Sequence, residues 1–142
     1  MVNKYVLDAS FILKLLSKET DSERVYKYFT KLNYSTAEIY EPDFLKIEVY
    51  SVMQKKYIFK HISSKDRDKS ITVFRDLLRF KYVQEENDLL DTALHISHSL
   101  KLITIYDTIY LALAELIGGT LVTCDREFYL KGHLYYTKLL MV

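Results

Sequence analysis

The chain has one cysteine, one proline, three glycines and no tryptophan. A single thiol excludes an internal disulfide, and a reducing cytosol is the natural setting. So few glycines and prolines leave little material for long loops. An excess of one charge is missing too: 20 Lys and Arg against 19 Asp and Glu give a net charge of +1. With no global basic field, any contact with nucleic acid has to rest on local patches or on bound metal. No apolar run approaches the ~20 residues of a membrane span. The opening MVNKYVLDAS meets an aspartate after a very short apolar run, unlike a secretory signal. A cytoplasmic protein that does not engage a membrane is expected. Repeats, low-complexity tracts and linkers are absent. So is a glycine-rich phosphate loop, since Gly118-Gly119 reads as a helix stop.

What is there is a 142-residue chain, 49% hydrophobic, of a size for one compact domain over 1–142. Short β-like runs alternate with helical ones. Strands are predicted at 4–9, 38–41, 82–85, 121–124 and 135–139, with one more short apolar run at 102–105. Helices are predicted at 10–16, capped by Ser10, and from a capping box at Thr20-Asp21-Ser22-Glu23 to about 32. Others follow at 42–59, with Pro42 in the first turn, from Ser63 onward, at 87–100 behind Asn87, and at 107–117. Strands separated by helices predict an α/β fold with a central parallel sheet and helices on both faces. Ligands of such sheets sit at the carboxyl ends of the strands.

Three acids fall at that edge. Asp8 ends the first strand, Asp125 follows the run Leu121 to Cys124, and Asp107 follows Ile103 to Tyr106 and opens a helix. Glu48 interrupts an apolar helical stripe of Leu45 and Val52, flanked by Phe44 and Val49. If that helix packs beside the first strand, Glu48 projects toward Asp8. Each acid also has a plain structural explanation. Asp107 and Asp125 fit helix caps, Asp8 fits a strand end, and Glu48 can snorkel to solvent. Together they are more telling. Four converging acids repel one another, and a divalent cation relieves that repulsion. Hard oxygen ligands favour Mg²⁺ or Mn²⁺. Such an ion can activate water and neutralise charge on a phosphodiester during in-line attack.

Four pieces, YVLDAS, EPDFLKIEVYSV, YDTIYLALAE and LVTCDREF, resemble in order and spacing the PIN-domain family, in particular the VapC-type toxin ribonucleases. The resemblance spans nearly the whole chain. It implies a PIN-like fold and a metal-dependent endoribonuclease with Asp8, Glu48, Asp107 and Asp125 as ligands. It further implies supporting roles for Ser10 and Thr123, whose plain alternatives are a helix cap and an ordinary strand residue. It also implies an RNA substrate, an antitoxin partner and a homodimer. Many relatives carry a further Asp or Asn near the last acid. The candidate here is Glu127, which also fits a solvated helix position. Arg126 is a candidate for RNA phosphate or a plain surface residue.

Other features read more simply. His95 and His98 share a helix stripe with Asp91 and fit a solvated face. His61 and His133 lie in loops without clear partners. Lys55, Lys56 and Lys60, with Tyr57, form an RNA-facing patch or a solvated helix end. Tyr26, Tyr28 and Phe29 face either a partner or the core. In an extended strand Thr123 and Asp125 point one way and Cys124 the other, which makes the thiol a small core residue. Two competing readings stand beside the nuclease. One is a non-catalytic PIN-like interaction module. The other is a receiver-type phosphoacceptor, which needs two adjacent acids after the first strand, where this chain has Asp8-Ala9-Ser10.

Overall fold

The computed structural model describes residues 2–18, 21–32 and 36–142. Five strands form one all-parallel sheet: β1 (Asn3–Leu7), β2 (Ala37–Pro42), β3 (Lys81–Val83), β4 (Thr120–Thr123) and β5 (Leu139–Met141). Their order is β3-β2-β1-β4-β5. The described helices are α1 (Ala9–Leu15), α2 (Ser22–Lys31), α3 (Phe44–Ile58), α4 (Ser64–Thr72), α5 (Asn87–Leu100), α6 (Tyr106–Ile117) and α7 (Arg126–Gly132). A π-helical turn, Val73–Leu77, extends α4.

Both faces of the sheet are covered. Neighbours in a strand point to opposite faces, yet Val6 and Leu7 in β1 and Leu121 and Val122 in β4 are all fully buried. Helix α6 lies across β1, β2 and β4, with α5 packed on it. Seven consecutive residues of α6, Thr108 to Ala114, are buried. A helix apolar on all sides is one enclosed on all sides, and this one anchors the core.

The strand order matters for function. The chain builds β1, β2 and β3 outward in one direction, then returns through α5 and α6 to place β4 on the other side of β1. The order therefore reverses between β1 and β4. In open parallel sheets such a switch point leaves a crevice at the carboxyl ends of the strands. Asp8 directly follows β1 and Asp125 comes two residues after β4.

The elements differ from their sequence-based bounds in several places. Asp8, not Ser10, caps α1: its carboxylate Oδ1 accepts the Phe11 amide at 3.1 Å. Pro42 closes β2 instead of opening α3, and Asp43 stands at the helix N-cap. Asn87 is the first residue of α5, with Glu86 at the cap. The run 102–105 is loop. The last strand starts at Leu139, because Tyr135 and Tyr136 both donate their amides to Gly132 O in turns that delay it. Thr20 of the expected capping box lies outside the described residues. Asp21, at the N-cap of α2, makes no side-chain cap bond and pairs with Lys14 instead.

Candidate active site

Asp8 is buried at the end of β1, and its backbone amide donates to Val122 O on the neighbouring strand at 3.1 Å. Its Oδ1 receives two bonds, from the Phe11 amide and from the Ser10 hydroxyl at 2.6 Å. Ser10 Oγ also accepts the Cys124 amide at 2.9 Å and lies 3.2 Å from Thr123 Oγ1. Thr123 Oγ1 in turn accepts the Asp125 amide at 2.9 Å. A chain of two hydroxyls thus runs from Asp8 to the backbone of Asp125 and ties the ends of β1 and β4 together. Asp125 Oδ1 caps α7 by accepting the Phe128 amide at 3.0 Å.

Glu48 and Asp107 approach from the helices. The buried stripe of α3 is Leu45, Val49 and Met53, spaced at i, i+4 and i+8. Glu48 stands at its margin, half-buried, rather than in the middle of it. There it accepts a 2.6 Å bond from the hydroxyl of Tyr110, itself buried in α6. Asp107 is inside the first turn of α6 and caps nothing, since Ile105 holds the N-cap position.

Asp8, Glu48 and Asp107 are each raised by burial and by a neighbouring acid. Burial pushes the Asp8 carboxyl up to about 6, against the pull of its hydrogen bonds, with Asp107 adding to the rise. Burial likewise pushes Glu48 up to about 7, opposed by the Tyr110 bond and reinforced by Asp107 and Asp8. Asp107 is raised by burial and by Asp125. Tyr110 is held far above the ordinary phenol range by burial and by Glu48, so it remains a donor. Among the described residues no ion pair reaches any of the four.

A fifth acid was not legible as a site residue. Glu41, in β2, is fully buried. Its Oε1 accepts the Leu7 amide at 2.9 Å, one residue before Asp8. Its Oε2 is buried with no hydrogen-bond partner among the described residues. Burial drives its carboxyl well above the ordinary range, and the proximity of Asp8 raises it further. The signal was there in the alternation Ala37, Ile39, Glu41, three buried positions of one strand at period two.

In donor chemistry the quartet fits a hard divalent cation: oxygen donors only, with no cationic side chain paired to them among the described residues. In position it is open. Among the described residues, no three His, Cys, Asp or Glu side chains are gathered at ligating separation.

The remaining candidates lie elsewhere or do other work. Glu127 is exposed and faces Lys131 at 3.8 Å, and Arg126 is exposed. His95, His98 and Asp91 lie exposed on α5. His133 does have a partner: its ring stacks on Tyr129 and its Nδ1 is 2.9 Å from Tyr129 O. Lys55, Lys56 and Tyr57 occupy the end of α3 remote from Glu48's turn, and Lys60 lies just beyond it. Tyr57 carries the Arg67 guanidinium over its ring. Tyr28 packs edge-on against Phe11, Phe29 packs on the core, and Tyr26 is exposed. Cys124 packs against the core, and burial raises its thiol to about 11, far from a nucleophile's range.

Comparison with known proteins agrees with this fold. Solved structures share the fold at low identity. VapC20 of Mycobacterium tuberculosis, described as a sarcin-ricin loop cleaving toxin, is 12% identical, with 90% of this chain and 95% of that one covered and a TM-score of 0.68. PAE2754 from Pyrobaculum aerophilum is 24% identical over 92% and 87%, with a TM-score of 0.61. VapBC2 from Rickettsia felis, solved on a promoter DNA fragment, is 17% identical over 98% and 97%, with a TM-score of 0.67. No curated protein matches in sequence. The family model described as PIN domain matches residues 5–134, and the chain therefore belongs to the PIN-domain family.

Proposed function

We propose that the protein is a Mg²⁺- or Mn²⁺-dependent endoribonuclease, the toxin of a type II toxin–antitoxin pair. The observation that carries this reading is the set of Asp8, Glu48, Asp107 and Asp125, without an ion-pair partner among the described residues, at the switch point of a PIN-family sheet. Those four carboxylates would hold the metal. A bound divalent ion supplies a Lewis acid for the phosphate and lowers the pKa of water. The chain's own residues do the positioning. Ser10 and the Phe11 amide fix one oxygen of Asp8, Tyr110 fixes one oxygen of Glu48, and Thr123 sets the Asp125 backbone. A structural neighbour named as a toxin–antitoxin complex, from Klebsiella pneumoniae, supports an antitoxin partner. A homodimer and a cytoplasmic location belong to the same proposal. Among the described residues no helix is long and apolar enough to cross a membrane.

The test is cleavage of a mixed RNA pool with Mn²⁺ or EDTA, for wild type and Asp8→Asn. Cutting is expected only for wild type with metal. Cleavage that survives both EDTA and the substitution would sink the metal-site reading. RNA binding without any cutting would favour a non-catalytic PIN-like interaction module, a reading supported by the open spacing of the four acids.

A further inference from the structure

Helices α3 and α6 meet through two side-chain rungs. Phe44 stacks on Tyr106, with ring centroids 5.2 Å apart and planes 14° from parallel. One turn further along both helices, Tyr110 bonds Glu48. Each rung pairs i with i, then i+4 with i+4, so the two helices run in the same direction and the rungs are ~6 Å apart along the axes. The inner rung carries a site acid. The outer rung carries two aromatic rings, and Tyr106 is the immediate neighbour of Asp107.

This outer rung is not a core feature. Phe44 is partly buried against the core, but Tyr106 is 53% exposed. Phe44 covers one face of the Tyr106 ring, so the exposure belongs to the other face and the edge. Phe44 is itself held in place, because its amide donates to Glu85 Oε1 at 2.6 Å. A supported aromatic ring left open one turn from Glu48 offers a flat contact face. Among the building blocks of a polynucleotide, the phosphate suits the acids only through metal, whereas the base offers a flat π-face to a supported aromatic ring.

We propose that the Phe44–Tyr106 pair is a stacking platform for one unpaired nucleobase, that of a nucleotide adjoining the phosphate bound at the acids. This rests on the ribonuclease reading and adds to it a base-binding subsite one turn from Glu48. A base within a duplex already has both faces covered by its neighbours, so paired RNA cannot use the platform. Tyr106 is a positioning residue that seats the strand.

The experiment separates binding from cutting. Single-stranded oligonucleotides carrying the fluorescent base 2-aminopurine at successive positions are titrated with the otherwise native protein, with Ca²⁺ in place of Mg²⁺ to hold the phosphate without cutting, and with the protein carrying Tyr106→Leu or Tyr106→Phe. Stacking quenches the fluorophore. The expected result is strong quenching at one position, lost in Tyr106→Leu, which keeps apolar bulk, and retained in Tyr106→Phe. Affinity for the single strand should fall about tenfold in Tyr106→Leu, with no change for duplex RNA. Quenching that survives Tyr106→Leu, or binding without quenching at any position, overturns the platform. Failure of wild type to cut RNA, with the quenching pattern intact, overturns the ribonuclease reading and leaves the platform standing.

Discussion

At the scale of single residues, the acids differ in how visible they were. Asp8, Asp107 and Asp125 stood out because each follows an apolar run in a chain that alternates strands and helices. Glu41 did not, since it closes the short predicted strand 38–41 just before Pro42 and follows no apolar run. Only the strand register shows that it points inward. Glu41→Gln keeps the acceptor for the Leu7 amide and removes the titratable proton. Its folded-state pKa lies well above the unfolded value, so the folded protein binds a proton that the unfolded chain has released, and this stability is present at low pH and lost as pH rises. Glu41→Gln should therefore be as stable as wild type near pH 4 and equal or more stable at pH 8, measured by urea unfolding. Glu41→Ala, which orphans the Leu7 amide and leaves a hole, should cost roughly 2–4 kcal/mol at either pH.

Asp8 and Glu48 obey the same sign. Their values of about 6 and 7 exceed the ordinary 3.8 and 4.5. Their contribution in the absence of metal is full below about pH 4 and is lost as pH rises through 6 and 7. A cation takes only the charged forms, so metal affinity should climb over that window. Melting temperatures in EDTA and in Mn²⁺, taken at pH 5 and pH 8, check this. The gain on adding Mn²⁺ should be larger at pH 8 and should be absent in Asp8→Asn.

At the scale of elements, one residue serves two ends. Asp125 caps α7 and also faces the acid cluster. Asparagine caps a helix about as well as aspartate, but alanine does not. Asp125→Asn should thus unfold within a few tenths of a kcal/mol of wild type and still lose RNA cleavage, while Asp125→Ala should lose about 1 kcal/mol as well. Equal activity of Asp125→Asn and wild type would reduce the residue to a cap. Where element bounds were misread, the cause is physical. The proline that seemed to open α3 instead closes β2. The aromatic run Tyr135-Tyr136 has strand propensity, but its amides are taken by Gly132 O. The glutamate in the α3 stripe looked central because Leu45 and Val52 flank it, whereas Leu45, Val49 and Met53 form the buried line.

At the scale of the whole molecule, the parallel sheet was legible because its strands are separated by helices, and the burial of Val6-Leu7 and Leu121-Val122 fits a sheet covered on both faces. The strand order was not legible, since no residue pattern tells which side of β1 receives β4. The edge strand β5 is short, and Leu139 is its one buried side chain. Gly132 exists to admit it: a Cβ there would meet Leu139 Cδ2 at 2.9 Å. Leu139→Ala should cost about 2–4 kcal/mol in urea unfolding without altering metal binding.

The hydroxyl and amide contacts at the acid edge have one more consequence. Asp8 and Asp125 each sit at the N-terminus of a helix, and Asp107 lies in the first turn of another. The positive ends of three macrodipoles therefore point into the cluster, each worth about 0.3–1 kcal/mol to a nearby carboxylate. This backbone counter-charge is permanent. It lets the crowded acids coexist before any ion arrives, so the metal-free chain is a folded receptor awaiting its cation. Far-ultraviolet circular dichroism in EDTA should show the full helical signal, and addition of Mn²⁺ should leave it unchanged.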